Sequence, residues 1–150
     1  MIAHGVPGLD IRQEYEFGAL PSAVFDALTL GLDQWWPDRL RQLPGGRLSL
    51  LPELGAFLAE EGAAGSGAVW GQVDLIEPGR RLYLNGWFGV PGVVMGRVHF
   101  DVEARDSGAA LTLTHRAIGP VPEDRVARQR ALWREVLGTE LRNHLTGTPV

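Results

Sequence analysis

Hydrophobic and polar residues alternate with a period of two over residues 10–17. Ile11, Gln13, Tyr15 and Phe17 fall on one side and Arg12, Glu14 and Glu16 on the other, as in a half-buried strand. The period then lengthens. In residues 20–29, LPSAVFDALT, the residues Val24, Phe25 and Leu28 stand at helical spacing behind Pro21, which suits a first turn, and Gly31 ends the run. Residues 32–40, LDQWWPDRL, add about one more turn before Pro37 stops it. Leu32, Trp35 and Trp36 sit there at i, i+3 and i+4, so both indoles point the same general way. From residue 47 to residue 118 the chain reads as strands and turns: RLSLL, LGAFLAEE, AVWGQVDLIE, RLYLNGWF, VVMGRVHFDVEA and ALTLTHRAI, separated by GAAGSG, PG, GVPG and RDSGA. Residues 122–145 return to a helical period, with Pro122 in the first turn, Glu123 and Asp124 at the positive end, and Val126, Trp133, Leu137, Leu141 and Leu145 along one stripe. Such a helix would run about 36 Å.

A slip of one residue exchanges the two faces of a strand, so the alternation also predicts pairing. Aliphatic side chains gather on one face if Val69 lies opposite Phe88, Val73 opposite Leu84 and Leu75 opposite Leu82. Leu84 then faces Val98, Phe100 faces His115, Val102 faces Leu113 and Ala104 faces Leu111. His115 falls on the apolar side and His99 on the polar side, while Trp70 and Trp87 form an outward cross-strand pair. Gly71, Gly86, Gly96 and Gly119 make a row on the inward face, which reads either as a sharply curved sheet pressed onto the long helix or as room for a ligand.

At 150 residues the chain is expected to form one domain over 1–150 that buries about two-thirds of its unfolded surface. Hydrophobic residues make up 45% and charged residues 21%, an ordinary globular balance. No run approaches the roughly 18 apolar residues of a membrane span, and the N-terminus lacks the basic-then-apolar order of a signal peptide, so the cytoplasm is expected. Cysteine is absent, which excludes disulfides, thiolate catalysis and cysteine-ligated metal. The formal charge of −4 argues against nucleic acid as a partner. All the non-histidine basic residues are Arg, a composition typical of a GC-rich bacterial gene.

One strand, two short helices, a six-strand meander and a long final helix follow the order of the helix-grip fold. Four segments resemble one branch of it: VFDALT followed by LDQWWP, GQVDLIEPGRRLYLNGW, GAALTLTH, and LWREVLGTEL. The chain thereby resembles the family related to the C-terminal domain of the activator of the heat-shock protein 90 ATPase, within the START-like (SRPBCC) superfamily. The resemblance implies an α+β fold in which a curved antiparallel sheet of about seven strands wraps a long C-terminal helix, with two short helices after the first strand. It further implies a hydrophobic pocket between sheet and helix whose mouth lies near the short helices. Relatives in the wider superfamily bind lipids, hormones or polyketides, and some are cyclases or hydrolases.

On that frame the expected ligand-binding residues are Trp35, Trp36, Phe100, Leu113, His115, Trp133 and Leu137, with one of the paired indoles filling the gap between helices and sheet and the other bordering the mouth. The function expected is binding of a lipid-like or polyketide-like molecule. Two rivals remain: a partner-binding module acting through Trp70 and Trp87, with a homodimer as one form, and an enzyme using His115 as acid or base. An inward His115 is either a core histidine bonded to backbone or the polar anchor of the pocket. His4 and His144 lie near the ends, and His99 with Asp101 lacks a third metal ligand. Arg125, Arg128, Arg130 and Arg134 read as the wet face of the last helix. No cofactor, metal or catalytic residue is implied.

Overall fold

The computed structural model describes residues 7–147; His4 lies outside them. Strand β1 (Gly8–Phe17) leads into helices α1 (Pro21–Leu28) and α2 (Leu32–Trp35). Six strands follow: β2 (Arg47–Ser49), β3 (Phe57–Glu61), β4 (Gly67–Glu77), β5 (Arg81–Asn85), β6 (Met95–Arg105) and β7 (Gly108–Ile118). They pair antiparallel in the order β1-β7-β6-β5-β4-β3-β2, so the first strand closes on the last. The C-terminal rod consists of α3 (Glu123–Glu135), a π-helical turn (Val136–Leu141) and α4 (Arg142–Thr146). No helix among the described residues is long and apolar enough to cross a membrane.

The inward and outward faces of β1, β6 and β7 follow the alternation, but several pairings differ from expectation. Val73 does face Leu84 and Leu84 does face Val98. Phe100, however, faces Leu113 rather than His115, Val102 faces Leu111, and Ala104 faces Ala109, because Arg105 pairs with Gly108 across a two-residue turn. A shift of two preserves parity, and His115 stays inward, between Ile11 on one side and Val98 on the other. In the β4–β5 hairpin a bulge at Asp74 sets Leu75 against Tyr83 and Ile76 against Leu82. Val69 and Phe88 are not partners, since β5 ends at Asn85 and Phe88 lies beyond it with φ 46° and a buried ring.

Trp70 is the larger correction. A second bulge pairs Leu58 with Gly71 and Ala59 with Val69, leaving Trp70 without a partner on β3 and turning it to the core, where it is 4% exposed. Trp70 and Trp87 do stack, with centroids 6.1 Å apart and planes at 13°, but only Trp87 retains partial exposure. The glycine row resolves toward curvature. A Cβ on Gly71 would come within 2.7 Å of the Phe88 ring, and one on Gly96 within 2.6 Å of the Gly86 carbonyl. The space left by the missing side chains is filled by the chain itself.

On the rod, Trp133, Leu137 and Leu141 are buried as the stripe requires, and Val126 and Leu145 pack partly against the core. The π turn lets Val136 join them while Gly138 passes Tyr15, whose ring would lie 3.2 Å from any Cβ there.

Candidate functional site

Two buried charged side chains shape the segment after α2. The Arg41 guanidinium donates to the Asp33 and Trp36 carbonyls at 2.9 and 2.8 Å and to the Gly46 carbonyl at 2.8 Å, and it pairs with the Asp33 carboxylate. It thereby fixes the backbone at Trp36. Glu60, fully buried on β3, accepts from the Gln42 and Leu43 backbone N–H groups at 2.9 and 2.6 Å and from the Trp70 indole at 3.0 Å. A buried carboxylate with three donors is satisfied; one with fewer is costly. Glu60→Gln places an amide N–H₂ against those donors, and a loss of about 2 kcal/mol in urea denaturation is expected.

These clamps assemble an aromatic network. Trp36 is its hub, 5.8 Å from Trp35, 5.6 Å from Trp70 and 6.3 Å from Trp133 between ring centroids. Trp87 joins through Trp70, and Phe88 touches both Trp70 and Trp133. All five tryptophans of the chain belong to one connected cluster, with edge-to-face geometry at the two contacts Trp36 makes with Trp70 and Trp133.

Beside the hub opens a cleft of about 210 Å³, walled by Trp36, Trp70, Phe88, Leu132, Trp133 and Val136, with Arg39, Arg41, Arg125 and Gln129 at its polar side. The interior expected to be hollow is almost filled. Between α1, α2, the sheet and Leu137 there remains a void of only about 10 Å³, bordered by Trp35, Trp36, Phe100 and Leu137 among others. Of the seven ligand residues expected from sequence, Trp36 and Trp133 line the cleft, Trp35, Phe100 and Leu137 line the void with Trp36, and Leu113 and His115 line neither. The two adjacent indoles thus divide their tasks. Trp35 packs inside and donates to the Ala27 carbonyl at 2.8 Å, while Trp36 borders the opening. Arg125 and Gln129, placed by sequence on the wet face or passed over, belong to the cleft wall; a polar Gln129 one turn before Trp133 was the available signal.

His115 is a core histidine, but its partner is an indole rather than backbone: Trp133 Nε1 donates to His115 Nδ1 at 2.9 Å. That bond assigns the proton to Nε2, which has no partner among the described residues. Burial lowers its pKa from 6.5 to about 4, so the ring is neutral at pH 7. With Trp133 on the cleft wall and His115 behind it, the imidazole does not reach the cleft. On the opposite face of the sheet, His99 stacks on Tyr83 at 3.8 Å and the Tyr83 hydroxyl donates to Asp101 at 2.6 Å.

No family model matches the chain, and no curated protein matches it in sequence. Solved structures do match in shape. A protein of Mesorhizobium loti superposes with a TM-score of 0.71 at 16% identity, covering 94% of this chain and 99% of its own. DynU16, from the dynemicin biosynthetic locus, gives 0.70 at 23% identity and covers 95% of this chain, which spans 49% of DynU16. The Aha1 dimer of Colwellia psychrerythraea, solved in solution, gives 0.62 at 19% identity, covering 91% of this chain and 96% of its own. With the sheet order, the two short helices after β1 and the terminal rod, these likenesses define the fold class: the chain has the START-like helix-grip fold, α+β, with a seven-stranded antiparallel sheet.

Proposed function

We propose that the protein binds a small apolar molecule in the cleft between the segment after α2 and helix α3. The observation that carries this reading is the convergence of Trp36, Trp70, Phe88 and Trp133 on one opening. Concave aromatic walls with a few placed polar groups are the usual make-up of a small-molecule site. The volume, about 210 Å³, is below the roughly 300 Å³ at which drug-sized ligand sites begin. The occupant is therefore one or two rings, or a short branched chain, rather than a long lipid. The likeness to DynU16 supports a small-molecule role at the level of fold. Residues 1–150 act as one domain in the cytoplasm in this reading, and no reaction is assigned to it.

Thermal denaturation against a panel of mono- and bicyclic aromatic compounds tests the proposal. Ligands that bind only the folded state raise the melting temperature with concentration, and Leu132→Trp, which narrows the cleft, should abolish the rise. A panel without a hit, or hits unaffected by Leu132→Trp, counts against the cleft.

A second reading has its own observation. Phe57 and Val69 are about half exposed on the outer face of β3 and β4, and the Trp87 indole donates to the Val69 carbonyl beside them. This patch would serve a partner-binding module of the heat-shock activator kind, a kinship supported by the four resembling sequence segments and by the likeness to the Aha1 dimer. Trp87→Ala should then abolish association without unfolding the domain, as size-exclusion chromatography beside circular dichroism would show.

A further inference from the structure

We infer that the occupant of the cleft carries an anionic group, a carboxylate or an acid of similar shape, which Arg125 receives while Gln129 bonds an oxygen of the same molecule. This rests on the proposed binding function and narrows it. The cleft wall contains three arginines and no acidic residue. Two of the arginines are already engaged: Arg39 pairs with Glu135, and Arg41 is committed to Asp33, Asp38 and three carbonyls. Arg125 is different. It is half-buried on the cleft side of α3, and no acid among the described residues pairs with it.

Gln129 supplies an independent observation. It lies one turn along the same face, is 6% exposed, and its amide makes no hydrogen bond among the described residues. Its amide atoms remain open to solvent at the cleft, where an oxygen or N–H group of a ligand can meet them. An unpaired guanidinium partly withdrawn from water is relieved by an anion, and its planar fork suits a carboxylate. Arg128, by contrast, is exposed and outside the cleft, so the charge at the mouth is specific to position 125.

The test uses two probes of nearly equal shape, 1-naphthoate and the neutral 1-naphthamide, titrated calorimetrically at pH 7. Naphthoate is expected to bind about ten-fold more tightly, the usual worth of one charge-assisted contact. Arg125→Gln should bring the ratio near one, 0.5 M NaCl should reduce it, and Arg128→Gln should leave it as it is. Equal affinities in the wild-type protein overturn the inference while the binding reading stands. A naphthoate preference that survives Arg125→Gln overturns the assignment to Arg125. Binding of neither probe overturns the binding reading and this inference with it.

Discussion

Trp36→Ala is expected to cost about 3–5 kcal/mol of folding stability, the range for removing a large aromatic side chain from a packed core. The residue is buried at the centre of the indole cluster, so its loss removes edge-to-face contacts with Trp70 and Trp133 together. The substitution by phenylalanine separates packing from hydrogen bonding. Trp36 Nε1 is buried with no partner among the described residues, whereas Trp35 Nε1 donates to Ala27. Both changes delete the same volume, yet Trp35→Phe breaks a hydrogen bond and Trp36→Phe removes an unsatisfied donor. Trp36→Phe should therefore be the milder by about 1 kcal/mol. Urea denaturation of the two variants decides it, and the reverse order would refute the division of roles between these neighbours.

The second large effect is a dependence of stability on pH. His115 titrates near 6.5 when unfolded and at about 4 when folded. A lowered folded value means that the unfolded chain binds the proton first, so the stabilisation is complete above pH 6.5 and declines as pH falls toward 4. The span of the shift corresponds to about 3 kcal/mol. His99, lowered by burial and by Arg97, adds a decline of the same sign. Asp33 and Asp74 are held below the ordinary carboxylate value of 3.8 by hydrogen bonds from Leu48 and Arg41 and from Arg97 and Asn85, which outweigh desolvation, so their contribution is lost at lower pH. Denaturation series between pH 4.5 and pH 7.5 should show a slope that His115→Asn largely removes and His99→Gln reduces less. An undiminished slope in His115→Asn would place the titrating group elsewhere.

The strands, the two short helices and the inward face of His115 were legible because each rests on a local period that one strand or helix displays by itself. Insertions of a single residue were not. The bulges at Trp70 and Asp74 keep the hydrophobic count unchanged while rotating the residues beyond them, and only the facing strand reveals them. Glu60 escaped for another reason. It alternates with Leu58 onto the inward face of β3, but the groups that satisfy its charge there come from a loop far earlier in the chain, at Gln42 and Leu43. The site was half visible. Two adjacent indoles announced an aromatic surface, but which of them borders the cleft is decided by Ala27 and Arg41, and Arg125 gave no periodic sign that distinguished it from its exposed neighbours.

The joined indoles have an optical consequence. With neighbouring centroids 5.6–6.3 Å apart, excitation absorbed at any one ring passes to the others faster than it is emitted. The five rings therefore shine as one antenna, and a quencher settling against Trp36 darkens the light gathered by all of them, including the distant Trp87.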